Sequence, residues 1–345
     1  MNRLDRTPAL IEIIRAQIKK HGPQPFAWFM EQALYHPEHG YYSSDRAAIG
    51  RRGDYFTNVS VGPLFGELLA AQFGEIWERL GRIDDFVIVE QGAHHGEFAR
   101  DVLESTRRQF PELFSALRYQ IVEPFAKLQD RQSQALKEFG DRVQWLNSLA
   151  ESNTFIGVHF SNELLDAMPV NLRYKLVDLR GDDFVLADSP NEHTTNQSQL
   201  DWMALLATKL RRGFVLAIDY GFVGAEFREV VQVRSLHRSL NSPFEQIGHA
   251  DITAHVNWTE IAEAGQKSGL GVAGFTDQHH FLTGIISRFP DIAAPEKSRR
   301  ALQTLLHPEM LGRSFQVLAL AKDIDLSAPL SGFKFARDSR KALGL

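Results

Sequence analysis

Residues 90–103 read EQGAHHGEFARDVL, and the reading of this stretch decides the fold. It opens on an acid that closes an apolar run, Phe86-Val87-Ile88-Val89-Glu90. It passes through Gly92 and Gly96 and runs into a segment with helical spacing from about Glu97. Strand, glycine-containing turn and helix in that order form the βα unit of a doubly wound sheet, where ligands sit beyond the carboxyl ends of the strands. Glycine lets the backbone approach a ligand, and a helix start offers unpaired N–H groups. Nucleotide-binding loops of this design usually carry a third glycine where this chain has His94, followed by His95. A βα turn that holds no cofactor is the competing reading.

Working outward, YQIVEPF (119–125) is a second strand ending in an acid, Glu123. An acid at that place can accept both hydroxyls of a cofactor ribose. Alone, it could equally be a residue favoured by a helix N-terminus. From about residue 84 apolar β-rich runs alternate with helical stretches. Strands are expected at 86–90, 118–123, 143–146 and 155–160, with helices at 97–109 and 125–139. That alternation implies βαβ units and a parallel sheet. Residues 171–188 read as a hairpin turning near Gly181-Asp182, 198–211 as a helix, and 214–221 (FVLAIDYG) as a strand ending near Asp219. The last third offers helices at 257–269 and across 297–306, and a strand at 314–321. Upstream, helices are expected near 7–20, 25–34 and 61–80. Leu10, Ile11, Ile14 and Ile18 give the first an apolar face. The stretch 35–60 between them is long, irregular and aromatic, which points to function rather than disorder. The division expected is residues 1–80 as a helical cap and lid segment, and 81–345 as one integrated core with insertions.

The 345 residues are 43% hydrophobic and 23% charged, with a formal net charge of −5. No basic excess points to nucleic acid. No apolar run approaches the ~18 residues needed to cross a bilayer, so no membrane partner is expected. There is no cysteine, which excludes disulfides and thiolate metal sites. The first residues carry Asp5 and Glu12 and no continuous apolar core, unlike a signal or transit peptide. Cytoplasmic residence is the default expectation.

Three further stretches could carry chemistry. HFSNELLDAMPVNLRY (159–174) follows the fourth expected strand and places Asn162, Glu163 and Asp166 near the ligand crevice. Glu163 and Asp166 are three apart and would share one face of a helical turn, able to clamp a cation. The alternative is helix capping by Ser161 or Asn162, although Pro169 limits any helix there to about one turn. GDYFTN (53–58) brings Gly53, Asp54 and Thr57 onto the long loop, as a lid or as a capped turn. GHADITAHVNW (248–258) carries Asp251, Thr253 and His255, or else caps the next helix with Asp251 or Thr253. The thirteen histidines form local pairs at 36/39, 94/95 and 279/280, none with the helical spacing of a zinc site, so no metal is expected.

Taken together, these blocks resemble the MidA family of class I S-adenosylmethionine (SAM)-dependent methyltransferases. That family includes the mitochondrial complex I assembly protein arginine methyltransferase and many bacterial members. The likeness runs over nearly the whole chain: FMEQALYHPEHGYY, GDYFTN, PLFGELLA, NELLDAMPV, IDYG, DITAHV, GFTDQHHFL and the tail PEMLGRSFQVLALAK…LSGF. It implies an α/β, Rossmann-like class I methyltransferase sheet of seven strands with an N-terminal helical cap and insertions. It implies SAM as cofactor, a protein substrate methylated on arginine, and room for a homodimer. Residue by residue, it implies that Glu90, Gly92, Ala93, His94 and Gly96 form the first cofactor loop and that Glu123 binds the ribose. Gly53, Asp54 and Thr57 match a block expected near the cofactor. Asn162, Glu163 and Asp166 match one expected near the transferred methyl.

Three departures stand out. The usual Gly-Ala-Gly-x-Gly is Gly92-Ala93-His94-His95-Gly96, the usual Thr-x-Pro-Glu is Thr57-Asn58-Val59-Ser60, and 228–241 keeps only the outline of a Gly-Thr-Leu segment. All fall at loops expected to face ligand, where they bear on cofactor affinity and substrate identity more than on fold. If the loop backbone needs positive φ at His94, its Cβ is strained there; an altered but occupied cofactor site is the expectation. Methyl transfer to a guanidinium needs a group to orient it and take its proton. Glu163 is the first choice, Asp166 the second, and His255 a third candidate as base or relay. A catalytically decayed binding or assembly protein on the same fold is the alternative. A nicotinamide dehydrogenase is a weaker one, because the loop lacks G-x-G-x-x-G.

Overall fold

The structure is a computed structural model that describes residues 8–43, 57–226, 230–235 and 238–345. The chain folds into two compact units. One comprises Met1–Ser60, Leu165–Asp201 and Arg228–His255; the other comprises Val61–Leu164, Trp202–Phe227 and Val256–Leu345. Helix Leu64–Arg79 groups with the large sheet.

The larger unit is built on a seven-stranded sheet. Its strands are β1 Phe86–Gln91, β2 Leu117–Val122, β3 Val143–Leu146, β4 Phe155–Asn162, β5 Leu210–Asp219, β6 Gly271–Asp277 and β7 Gln316–Lys322. The spatial order is β6-β7-β5-β4-β1-β2-β3. Neighbours from β5 through β3 pair in parallel, while β7 runs antiparallel to both β5 and β6. The chain order reverses at β1, with β2 on one side and β4 on the other, which opens the crevice where such sheets bind ligands. Residues 86–90 of β1 and 214–219 of β5 are buried without alternation, the pattern of parallel strands covered on both faces. The principal helices are α1 Leu64–Arg79, α2 Glu97–Gln109, α3 Ala126–Leu136, α4 Trp258–Lys267 and α5 Gln278–Arg288. In α2 the residues Phe98, Ala99, Val102, Leu103 and Thr106 turn inward at the spacing of one helix face.

The smaller unit packs two helices, Pro8–His21 and Phe26–Tyr35, with two three-stranded antiparallel sheets. Its core includes Leu10, Ile11, Ile14 and Ile18 from the first helix, with Phe26, Phe29, Met30, Val177 and Ile252. The hairpin expected at 171–188 is present as Lys175–Arg180 and Asp183–Asp188, turning through Gly181 at φ 66°.

The fold class expected from the sequence is borne out. Several local expectations are corrected. Residues 163–166 do not form a helical turn: β4 runs on to Asn162 and Glu163 has φ 53°, outside the helical region. The shared helical face of Glu163 and Asp166 therefore does not exist. Asp251 and Thr253 do not cap a helix. They lie in strand Asp251–Ala254, paired antiparallel with Val231–Ser235, while Asn257 caps α4 by accepting from the Glu260 N–H. Strand β6 is hidden in the sequence, because its two glycines and half-buried pattern mask it; a ring of Phe333 occupies the space where a Cβ of residue 274 would sit.

Candidate active site

The site begins where β1 ends. Glu90 and Gln91 close the strand, and the chain then turns through Gly92 and Gly96, both at φ 85°. That left-handed geometry is the reason for glycine at both places. A Cβ on either would meet only ordinary contacts, 3.6 Å from Leu164 and 3.5 Å from Gln132. The Gly96 N–H closes the turn on the Ala93 carbonyl at 2.8 Å, and α2 starts at Glu97. His94 adopts φ 47°, so the histidine in place of the usual glycine does carry a left-handed backbone. Its ring stacks on His95, with centroids 3.7 Å apart and 28° between planes.

Three strand ends converge around this turn. Glu123 follows β2 directly and is 5% exposed. Its Oε1 accepts from the Phe125 N–H at 3.0 Å and its Oε2 from Gln132 Nε2 at 3.1 Å. Asn162 ends β4, beside β1, and its carbonyl lies 3.9 Å from where a Gly92 Cβ would be. Its Nδ2 donates to Glu163 Oε1 at 2.8 Å, while the Glu163 N–H bonds to the Ile218 carbonyl of β5. Glu90, Gly92, Ala93, His94, Gly96, Glu123, Asn162 and Glu163 thus share the larger unit.

Burial dominates the electrostatics. It pushes the Glu90 carboxyl up to about 8, opposed by the hydrogen bond from Tyr119 and helped by the charge of Glu97. It pushes Glu123 up to about 7 against the Phe125 and Gln132 hydrogen bonds. No cation contributes to either shift. Buried carboxyls without cations are costly to ionise, whereas a ligand rich in hydroxyl donors would satisfy them. The donor set and the glycine turn therefore fit an adenosyl cofactor: the turn would take its amino-acid part and Glu123 its ribose.

The remaining expected residues are placed as follows. Gly53 and Asp54 lie outside the described residues. Thr57 and Ser60 form a reciprocal cap: Thr57 Oγ1 accepts from the Ser60 N–H at 3.2 Å and Ser60 Oγ from the Thr57 N–H at 3.0 Å. Asp166 is buried, and its carbonyl accepts from the Ala254 N–H. His255 Nε2 meets Gln232 Nε2 at 3.1 Å. Burial, and then the charge of Arg234, hold His255 below its usual range. Thr57, Asp166 and His255 belong to the smaller unit.

Ligand atoms of His94, His95 and Glu97 come within 4.8 Å of one another, a cluster the sequence did not single out. Arg131 Nη1 also donates to His95 Nε2 at 3.0 Å, which sets a cation against the cluster. Sequence reasoning also missed Tyr119 and Gln132, which donate to Glu90 and Glu123, and Trp145, which donates to Gln132; nothing local marks them.

A sequence profile of a family of SAM-dependent methyltransferases matches residues 68–178 and 182–276, together more than half of the chain. The chain is 25% identical over 374 residues to the mitochondrial protein arginine methyltransferase NDUFAF7 homolog of Drosophila melanogaster, covering 90% of this chain and 84% of that one. It is 24% identical over 401 residues to the mitochondrial protein arginine methyltransferase NDUFAF7 of Homo sapiens, covering 97% and 87%. A crystal structure from Burkholderia thailandensis bound to S-adenosyl-homocysteine superposes with a TM-score of 0.86 at 28% identity, over 97% of this chain and 96% of that one. Fold, turn and matches together define the class, a class I SAM-dependent methyltransferase. The chain belongs to the MidA family of these enzymes. The expectation of cytoplasmic residence is corrected: the two curated relatives above are mitochondrial proteins by name. Among the described residues no helix is long and apolar enough to cross a membrane.

Proposed function

We propose that this enzyme transfers the methyl of SAM to a guanidine nitrogen of an arginine in a protein substrate. The observation that carries the reading is Glu163. It stands at the mouth of the sheet with a left-handed backbone, and its carboxylate is tethered by Asn162 at 2.8 Å. A non-glycine residue held in that conformation costs about 1–3 kcal/mol and tends to occur where function requires it. The two relatives described above are protein arginine methyltransferases by name.

The cofactor, when bound, supplies a methyl on a sulfonium, open to in-line displacement. The chain must orient the nucleophile and take up its proton. A guanidinium pairs bidentately with a carboxylate, so Glu163 would hold the arginine with one nitrogen aimed at the methyl. As the N–C bond forms and the C–S bond breaks, Glu163 accepts the proton that leaves that nitrogen. Asn162 fixes the carboxylate rotamer. Asp166 is kept as the second carboxylate and His255 as a third candidate for base or relay. Glu90, Gly92, Ala93, His94, Gly96 and Glu123, with Gly53, Asp54 and Thr57, are proposed to bind the cofactor.

The test is single-turnover methylation of an arginine-containing peptide library, read by mass spectrometry, with Glu163→Gln beside the wild type. The variant should keep its affinity for S-adenosylhomocysteine and lose roughly 10²–10⁴-fold in rate, the range of general acid–base catalysis. Methyl found on another side chain, or an unchanged rate in the variant, refutes the assignment.

A further inference from the structure

We propose that Gln132 is a positioning residue of the cofactor site, whose single amide ties the glycine turn to the ribose-binding acid. Gln132 lies on α3 and is fully buried. Its Nε2 donates one hydrogen to the His94 carbonyl at 2.8 Å and the other to Glu123 Oε2 at 3.1 Å. Its Oε1 accepts from Trp145 Nε1 at 3.0 Å. An indole N–H can only donate, so the amide oxygen must face Trp145 and the amino group must face the turn. The flip of this side chain is therefore fixed by chemistry.

Two consequences follow for the site. The carbonyl of His94, turned by a backbone at φ 47°, gains a buried donor that helps hold the turn in that shape. Glu123 is held at both oxygens, Oε1 by the Phe125 N–H and Oε2 by Gln132. Each oxygen keeps acceptor capacity, and the carboxylate plane is set before any ligand arrives. Close packing of Gln132 Cα against Gly96, 3.5 Å from a would-be Cβ, keeps the helix and the turn at fixed distance. Such preorganisation raises affinity for the ligand whose hydroxyls match the fixed acceptors.

This inference rests on the reading of Glu123 as the ribose acid, and its test separates the two. The full chain is titrated calorimetrically with S-adenosylhomocysteine and with its 2′,3′-dideoxyribose analogue. The ratio of the two Kd values measures ribose discrimination. Gln132→Met should weaken both ligands through the loosened turn and, beyond that, lower the ratio at least about tenfold, the scale of one hydrogen bond to a charged group. An unchanged ratio, whether or not both ligands weaken together, overturns the proposal, since a residue that only packs would act on both alike. Glu123→Gln is the control. If it keeps full ribose discrimination, or if the wild type shows none, the ribose-acid reading fails and this inference with it. If it loses discrimination while Gln132→Met keeps it, only the role of Gln132 fails. Should Gln132→Met not fold, Trp145→Phe carries the test by freeing the amide to rotate: a reduced ratio supports the proposal, an unchanged one overturns it.

Discussion

The hydroxyl of Tyr119 donates to Glu90 Oε2 across 2.7 Å, with both side chains buried between neighbouring strands. Glu90 pairs with Ile121 in the β1–β2 register and Ile88 with Tyr119, so Tyr119 is the diagonal neighbour of Glu90 on one face of the sheet. Tyr119→Phe strips a buried carboxyl of this donor. The expected loss is about 1–3 kcal/mol of unfolding free energy, measured by urea denaturation.

The same pair sets a pH dependence. Burial lifts Glu90 from 4.5 to about 8 in the fold, while the unfolded chain keeps the ordinary value. Between those values the folded state holds the proton and the unfolded state does not. The stability linked to this proton is complete below the lower value and is lost as pH rises through the higher one. The wild type without cofactor should therefore lose stability between about pH 5 and pH 8. Glu90→Gln should flatten that slope in a series of thermal melts, and an identical slope in the variant speaks against a retained proton.

His94 holds φ 47° where related loops carry glycine. The left-handed conformation costs an L-residue about 1–2 kcal/mol; His94→Gly removes this but forfeits the stack on His95, worth about 0.5–1 kcal/mol. We expect a small net gain in stability, roughly 0.5 kcal/mol, and S-adenosylhomocysteine binding at least as tight as in the wild type. Weaker binding in the glycine variant would mean that the imidazole itself serves the ligand.

How far the site could be read in advance depends on whether its signal was local. The glycine turn, the acids Glu90 and Glu123, and the bounds of α2 follow from strand, turn and helix patterns within single βα units. The left-handed backbone of Glu163 is invisible in SNELLD, because no glycine or asparagine marks that position. Gln132 shares the segment AKLQDRQSQAL with Gln129 and Gln134, and only tertiary register selects it. The strand Asp251–Ala254 finds its partner at Val231–Ser235, too far along the chain for a periodicity argument to reach.

The departure at 57–60 keeps its physics while changing its residues. A Thr-x-x-Glu sequence can form a capping box, and here Ser60 returns the bond to the Thr57 N–H at 3.0 Å. Ser60→Glu should be neutral to within about 0.5 kcal/mol, and Ser60→Ala should cost about 1 kcal/mol. Chemical denaturation of the two variants checks both values.

Glu123 links the pH to cofactor binding. Burial raises its carboxyl to about 7, with the Phe125 and Gln132 hydrogen bonds pulling the other way. Ribose hydroxyls donate, so a ligand bound through them prefers the carboxylate over the acid. Binding then expels a proton wherever the free enzyme holds one, which is below about pH 7. The affinity for S-adenosylhomocysteine should rise with pH by up to about tenfold per unit below that point and level off above it. Calorimetry in two buffers of different ionisation enthalpy should register the released proton near pH 6. Glu123→Gln has no proton to release, so its Kd should show neither the slope nor the buffer dependence. If both persist in that variant, the proton comes from another group.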